Sequence, residues 1–261
     1  MRGVVGIVTA MRVEARCITR TRLPFNQRIR LGENAAIWLC GMGEEAAQEA
    51  AEGLKAGGAT ALMSFGFAGA LKSSLRPGDL VLPESIHAGH SFPVELSWRS
   101  RLRQRLPDQL NVAGGVLAAS RNLLTSATAK SDLAHTTGAC AVDMESGAVA
   151  KVAAQAGLPF LAVRAISDPI EFSPPQVLLE AVRPDGSANL VGVLQLLLRR
   201  SLSLSTLLRL AADSRAACTA LSSVVRYAAA EMALPGHPHR FTDTAPIEEV
   251  QHDFEIRKKA D

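Results

Sequence analysis

The sequence has few aromatic residues and little net charge. Phe, Trp and Tyr make up 4% of its 261 residues, and Tyr227 is the single tyrosine. No aromatic cluster therefore offers a stacking platform for single-stranded nucleic acid. Lys and Arg number 28 against 25 Asp and Glu, so the formal net charge of +3 gives no global electrostatic case for nucleic-acid binding.

The four cysteines lack the spacing of a disulfide framework or a zinc site. Cys17, Cys40, Cys140 and Cys218 include no CxxC pair, and none has a histidine at metal-ligand spacing. We interpret them as small buried apolar residues in a reducing compartment. The sequence therefore predicts no metal and no redox cofactor.

Long apolar runs are also missing. The strongest one, Leu190 to Leu198, is stopped by Arg199, whereas crossing a bilayer takes about 20 residues. The apolar run at Met1 to Val8 is too short for a signal peptide and fits a buried first strand better. We expect a cytoplasmic protein, with peripheral contact at the inner membrane surface as an open alternative.

Apolar strands alternate with alanine-rich helices along the first two thirds of the chain. The 48% hydrophobic content excludes wholesale disorder. Together these features imply an α/β protein with a mostly parallel sheet covered on both faces, whose ligand lies at the carboxyl edge of the strands. Strands are predicted at Val4–Ala10, Ala35–Cys40, Ala61–Phe65, Asp79–Pro83, Val112–Ala119 (broken by two glycines) and Pro159–Ile166, and helices at Glu44–Ala56 and Glu145–Ala156.

The last third of the chain differs in character. Leu190 to Leu234 is rich in Leu, Ala, Ser and Arg and predicts two helices, which could form a hairpin. We predict an α/β core over 1–175, a helical extension packed on it over 176–235, and a flexible tail over 236–261.

Three carboxylates stand at strand or helix ends, where active sites of α/β proteins form. Glu14 follows the first strand, Glu145 precedes a helix, and Asp168 closes a buried strand. Partial burial would let Asp168 act as a general acid, and a helix dipole would stabilise Glu145. Each has a plainer alternative: a solvated first-turn glutamate, a helix cap, and a turn aspartate before Pro169.

Other candidate features are weaker. The segment Gly66 to Gly69 lets the backbone approach an anion or a sugar, but it also suits a tight strand-to-helix turn. The histidines His87, His90 and His135 have no supporting spacing, and the arginines of residues 99–105 fit a solvated face.

Six segments, taken in order, resemble the nucleoside phosphorylase superfamily, with the nearest likeness to its methylthioadenosine/adenosylhomocysteine nucleosidase branch. They are spread over most of the range 3–170. The segments are GIVTAM-x-x-E (6–14), GMG (41–43), SFGFAGAL (64–71), PGDLVLP (77–83), AVDMESGAVA (141–150) and VRAISD (163–168).

This resemblance implies a three-layer α/β fold with a mixed, twisted central sheet flanked by helices, in a homo-oligomer. It implies cleavage of the N-glycosidic bond of a nucleoside by water or phosphate, without another cofactor. On the matching positions, Asp168 looks like the acid that protonates purine N7, and Glu145 like the acceptor of ribose hydroxyl hydrogen bonds. Met144 would pack under the ribose, and Glu14 would orient the nucleophilic water.

The same resemblance extends to the base and to the nucleophile. Backbone groups of Leu124 and Val142 would read adenine. Arg12, Gly66 and Phe67 would form the nucleophile or phosphate pocket, but Arg12 and Phe67 depart from the nucleosidase pattern. Arg12 would suit phosphate, and Phe67 stands where nucleosidases commonly carry a small hydroxyl residue.

These departures and the leucine-rich extension are similar to the hopanoid-associated phosphorylase subgroup, which implies adenosylhopane as substrate. Phe67 and the helices within 190–210 would line an apolar channel, although the helices could instead contact a membrane or a partner subunit. The competing functions are a methylthioadenosine/adenosylhomocysteine nucleosidase, a general purine nucleoside phosphorylase, and a non-catalytic nucleoside-binding protein.

Overall fold

A central mixed sheet with helices packed against it makes up the described part of the chain, as the resemblance implied. The computed structural model describes residues 3–172 and 203–235. Within these ranges the sheet has eleven strands. They are β1 (Val5–Thr9), β2 (Arg28–Arg30), β3 (Ala35–Leu39), β4 (Ala61–Ala70), β5 (Leu80–Val81), β6 (Ser85–His87), β7 (Ser91–Pro93), β8 (Val112–Ala113), β9 (Val116–Ala119), β10 (Ala141–Asp143) and β11 (Phe160–Asp168).

Six α-helices accompany the sheet in the described ranges. Helix α2 packs on β1 and on α5, whereas α6 packs on β11 and α1. The helices are α1 (Arg12–Ile18), α2 (Glu44–Ala56), α3 (Leu96–Arg105), α4 (Ala127–Thr137), α5 (Ser146–Ala156) and α6 (Leu204–Ala228), with a 3-10 turn at Ala229–Met232.

Strand β4 organises the sheet because it pairs with three strands that are distant from it in sequence, namely β1, β10 and β11. Its first half runs parallel to β1 and β11, with Ser64 opposite Val8. Its last residues pair antiparallel with β10, where Gly69 lies opposite Val142, and parallel with the end of β11, where Gly69 lies opposite Asp168. The ends of β1, β10 and β11 therefore meet beside the second half of β4.

The predicted end of β4 at Phe65 is wrong, because the strand continues through the glycines to Ala70. The glycines do not form a turn. They make room for side chains, since a Cβ on Gly66 would meet Arg164 and Glu14, and a Cβ on Gly69 would lie 2.9 Å from Oδ2 of Asp168. The backbone can thus stay extended while charged groups pack directly against it.

The core is built from small and branched apolar residues, which explains how a chain so poor in aromatics folds. On α2, the fully buried residues Ala47, Ala50, Ala51 and Leu54 recur at helical spacing. The predicted helix Glu44–Ala56 is confirmed with its bounds, and the helix predicted from Glu145 begins one residue later. The split of Val112–Ala119 at two glycines is also confirmed.

The C-terminal prediction is tested only in part. Leu204–Ala228 is one continuous helix of 25 residues. The remainder of the predicted helical extension before Ser203, and the tail predicted over 236–261, lie outside the described residues. The division of the chain at residue 175 stays a prediction.

Candidate active site

Glu14 is held inside the protein at the carboxyl end of β1. Its side chain is 1% exposed, so the alternative of a solvated first-turn glutamate is wrong. Oε2 accepts hydrogen bonds from the Thr9 hydroxyl (3.1 Å) and from the N–H groups of Ala10 (3.0 Å) and Met11 (2.9 Å). Oε1 accepts from the N–H of Phe67 on β4 (2.8 Å). The start of α1 and strand β4 therefore fix this carboxyl group in one place.

Arg164 of β11 is the buried cation of the site. Its side chain is 1% exposed. Nη2 lies 2.6 Å from Oδ2 of Asp143, and it donates to the hydroxyls of Ser64 (2.6 Å) and Ser146 (3.0 Å). Oε2 of Glu145 lies 3.8 Å away. One guanidinium thus ties β4, β10, β11 and the start of α5 together, and it partly neutralises the carboxylate cluster, by which we mean Glu14, Asp143 and Glu145.

Burial perturbs two members of this cluster. It raises the pKa of Glu14, while Arg164 opposes the rise. It also raises the pKa of Glu145 to about 7, with Arg164 opposing and the charges of Asp143 and Glu14 adding to the rise. Glu145 accepts one hydrogen bond at Oε1, from the N–H of Gly43 (3.0 Å). It therefore stands poised between its charged and neutral forms near neutral pH.

Glu145 occupies the N-cap position of α5, but its side chain makes no capping hydrogen bond there. Asp143 takes that role, because its carboxylate accepts from the N–H of Ser146 (3.2 Å). The Glu145 carboxyl is therefore directed to Gly43 and to the cavity instead of to its own helix.

Asp168 ends β11, just past an irregularity in its pairing with β4. Oδ1 accepts from the hydroxyl of Ser167 (3.0 Å), and Oδ2 lies 2.5 Å from Nζ of Lys130. The Asp168 side chain is 15% exposed, whereas that of Lys130 is 1% exposed. The carboxyl group thus faces an opening on one side and a buried ammonium on the other.

A single cavity of about 640 Å³, including its open mouth, brings most of the predicted site residues together. Its wall contains seven of the nine: Glu14, Phe67, Leu124, Val142, Met144, Glu145 and Asp168. Gly66 lies behind the wall, against Glu14 and Arg164. Arg12 is not part of the wall, and its Nη1 donates to the carbonyl of Leu23 (2.9 Å).

A family model described as the phosphorylase superfamily matches residues 5–199, about three quarters of the chain. The chain belongs to the phosphorylase superfamily. This confirms the superfamily named by the resemblance, and with it the prediction of an enzyme that acts on N-glycosyl bonds. A search of curated proteins finds no match.

Several solved structures share the fold of this chain at low sequence identity. The 5′-methylthioadenosine/S-adenosylhomocysteine nucleosidase of Neisseria meningitidis is 16% identical, with a TM-score of 0.65 over 88% of this chain and 98% of that one. The futalosine hydrolase of Helicobacter pylori is 20% identical, with a TM-score of 0.62 over 86% and 98%. The S. pneumoniae nucleosidase is 17% identical, with a TM-score of 0.61 over 86% and 99%.

Two charged residues of the site were missed by the sequence analysis. Arg164 lies in a matched segment, yet nothing local marks it as buried among carboxylates. Lys130 lies in α4, a helix that was not predicted although Ser126 caps its start and Gly138 ends it. Those two capping residues were a usable signal for the helix.

Three further features that the sequence analysis considered are the cysteines, metal binding and membrane-spanning helices. The four cysteines are free thiols in the structure. Across residues 3–172 and 203–235, no group of three or more His, Cys, Asp or Glu side chains could hold a metal ion. In the same ranges, no helix combines the length and apolarity needed to span a bilayer.

Proposed function

We propose that this protein releases adenine from an adenine nucleoside, and that its substrate is adenosylhopane. The observation that carries the proposal is the placement of three carboxyl groups around one cavity in different surroundings. Glu14 is tied down by backbone donors, Glu145 lies beside a buried arginine, and Asp168 lies beside a lysine. Different surroundings suit carboxyl groups for different roles in one reaction.

Asp168 serves as the acid for the leaving base. When the bond between the anomeric carbon and the purine breaks, its electron pair moves into the base. A proton placed on N7 by Asp168 neutralises that charge and makes adenine a better leaving group. The position of Asp168 at the cavity wall, with its Oδ1 held by Ser167, supports this role.

Glu145 holds the ribose and stabilises its developing positive charge. A carboxylate accepts hydrogen bonds from ribose hydroxyls, and its charge favours an oxocarbenium-like transition state. Its pKa of about 7 leaves it able to carry that charge at neutral pH. Met144, the preceding residue, forms part of the cavity wall and is placed to pack against the sugar.

The nucleophile we propose is water, activated by Glu14. The raised pKa of Glu14 makes it a better base, and Oε1 accepts one hydrogen bond from the described residues, which leaves capacity for a water. Within the described residues, the cavity wall carries one ammonium, that of Lys130, against four carboxyl groups, those of Glu14, Asp143, Glu145 and Asp168. Even with Arg164 buried behind it, this wall offers more carboxyl groups than cations, which favours water over a phosphate dianion. Phosphate is the alternative co-substrate, and the experiment below distinguishes the two.

An apolar 5′ substituent fits the wall around the proposed ribose position. Met11, Met42, Phe67 and Leu124 all face the cavity, and Met42 is 37% exposed at the surface. On α6, Leu204 and Leu208 expose more than 60% of their surface. The exposed Leu204 and Leu208 support the further proposal that α6 meets a membrane surface or a second copy of the chain.

The second candidate is the hydrolysis of methylthioadenosine or adenosylhomocysteine. It is favoured by the capacity of Glu14 Oε1 to hold a water, and by the nucleosidases that share the fold. Under this reading the apolar wall would accommodate a small thioether in place of a lipid.

The test measures adenine release by the purified full-length protein from adenosylhopane in detergent micelles and from methylthioadenosine, each with and without phosphate. Faster release from adenosylhopane, without phosphate dependence and with ribosylhopane as product, is the expected result. Preference for methylthioadenosine would replace the lipid by the second candidate, and phosphate dependence would replace water by phosphate. Nucleoside binding in calorimetry without any adenine release would reduce the protein to a binding module.

A further inference from the structure

Lys130 places a fully buried ammonium group beside Asp168. It lies in the first turn of α4, and its side chain is 1% exposed. Nζ donates to Oδ2 of Asp168 (2.5 Å) and to the carbonyls of Pro169 and Phe172 (2.9 Å each). A lysine ammonium has three N–H donors, so all of them are engaged. Lys130 is therefore held as a fixed charge and does not act as a nucleophile.

Packing alone does not account for an ammonium at this position. Lysine is almost never fully buried unless it is paired, because removing an ammonium from water is costly. An apolar side chain of similar length would fill the same space without that cost. The feature that requires the charge is the Asp168 carboxyl group, because the other two acceptors are neutral backbone carbonyls.

The lysine and two neighbours leave Asp168 a single orientation. Lys130 holds Oδ2 and the Ser167 hydroxyl holds Oδ1 (3.0 Å). The backbone of Gly69 closes the third side, since even a Cβ there would lie 2.9 Å from Oδ2. The carbonyl contacts to Pro169 and Phe172 also fasten the chain that follows Asp168.

We infer that Lys130 is a positioning residue that holds Asp168 as the proton donor to the leaving base. The inference rests on the proposed function. In the step, Asp168 enters in its protonated form, its O–H bond breaks and an N–H bond forms at N7. At the anomeric carbon, water replaces the base and gives its proton to Glu14. The electron pair of the glycosidic bond passes to the purine, and Asp168 is left as a carboxylate. That new charge forms 2.5 Å from the Lys130 ammonium, which stabilises it.

The other charged groups that the structure describes near Asp168 do not supply this stabilisation. Besides Asp168, the cavity wall contributes Glu14, Asp143 and Glu145, which are acidic. On α6, Arg209 lies 3.8 Å from Asp213 and pairs with it. Burial raises the pKa of Asp213, Arg209 opposes the rise, and the charge of Asp168 adds to it. Among residues 3–172 and 203–235, Lys130 is thus the cation in direct contact with the proposed acid.

The test compares two leaving groups on the same sugar with the same 5′ substituent. Adenine needs a proton to depart, whereas 4-nitrophenolate does not. Rates are compared at the plateau of each variant's pH profile for the wild type, Lys130→Met and the matched surface control Lys55→Met. We expect Lys130→Met to lose about tenfold or more with adenine, part of the 10² to 10⁴ that general acids contribute. With nitrophenolate the loss should stay below about threefold, and Lys130→Arg should recover part of the adenine rate.

Equal losses with both leaving groups, or no loss with adenine, would overturn the inference and leave Lys130 a structural residue. A second test measures the effect of Lys130→Met on adenine release in an Asp168→Asn background. It also applies if the nitrophenyl riboside is not a substrate. No further loss supports coupling through Asp168, and the same loss as before contradicts it. If Lys130→Met does not fold, Lys130→Gln takes its place. If the wild-type protein releases no adenine, the proposed function itself is refuted. That result differs from the outcomes that would overturn only the role of Lys130.

Discussion

Nη2 of Arg164 lies 2.6 Å from Oδ2 of Asp143, and both side chains are 1% exposed. The ion pair joins β11 to β10 under the floor of the cavity, and Glu145 lies 3.8 Å from the same nitrogen. The guanidinium also opposes the rise in the pKa of Glu14 and of Glu145 that burial causes. The carboxylate cluster therefore depends on one buried cation for its charge balance.

Replacing that cation should destabilise the whole fold. Arg164→Met would leave Asp143 and its neighbours buried without a compensating charge, which costs about 3–5 kcal/mol when one partner of a buried pair is removed. Urea unfolding measures the change, with Arg105→Met, an exposed arginine of α3, as the matched control. Equal unfolding midpoints for the two variants would show that the pair does not carry the cluster.

Gly66 should tolerate no side chain. A Cβ there would lie 2.5 Å from Oε1 of Glu14 and would also meet Arg164, and both groups are buried and hydrogen bonded. Gly66→Ala should therefore lower kcat for adenine release by at least about tenfold, because displacing catalytic groups by an ångström costs up to 10²-fold. In the control Gly57→Ala, the new methyl meets the exposed Arg28 side chain, which can move. Wild-type rates in both variants would contradict this account of β4.

The sequence predicted the positions of Glu14, Glu145 and Asp168 better than the residues that surround them. The approximate positions of β1, β3 and β11 and the cap position of Glu145 follow from local patterns of apolar residues and glycines, whereas the order of the six motifs comes from the family resemblance. The extension of β4 through Gly66 could not be predicted, because the reason for its glycines lies in Glu14, Arg164 and Asp168, which are distant in sequence. Local glycine spacing reads as a turn when that packing is unknown.

The buried cations were missed for a similar physical reason. A lysine or arginine is normally assigned to the surface, and only tertiary partners reverse that assignment. Lys130 meets Asp168 across 38 residues, and Arg164 meets Phe67 and Ser64 across about a hundred. The family resemblance assigned roles to Glu14, Glu145 and Asp168, which their positions at strand and helix ends had already marked, but it assigned no role to either cation.

Stability should depend on pH through Glu145. Its pKa rises from 4.5 in the unfolded chain to about 7 in the fold, so the native state holds its proton more tightly. Stability is then greatest below about pH 4.5 for this group, and it is lost as pH rises through 7, by on the order of 1–3 kcal/mol. Glu145→Gln keeps the acceptor for Gly43 and removes the titration. Its advantage over the wild type in thermal unfolding should grow between pH 5 and about 8, and parallel pH curves would contradict the assignment.

Phe67 should influence which 5′ substituent is accepted. Its backbone N–H binds Glu14, and its side chain adds apolar surface to the cavity wall. Phe67→Ser keeps the backbone contact and removes that surface. The ratio of kcat/KM for adenosylhopane to that for methylthioadenosine should fall about tenfold or more, the usual range for a lost apolar contact. An unchanged ratio would remove Phe67 from the proposed channel.

The most direct test of the account is the rate of adenine release by Asp168→Asn, with the preferred nucleoside saturating. Asparagine retains the shape of the side chain but has no carboxyl proton to give. We predict a fall in kcat of at least about 10²-fold, with circular dichroism unchanged and with the exposed-surface control Asp108→Asn at the wild-type rate. A near-normal rate in Asp168→Asn would contradict acid-assisted departure of the base, and with it the central role given to this carboxyl group.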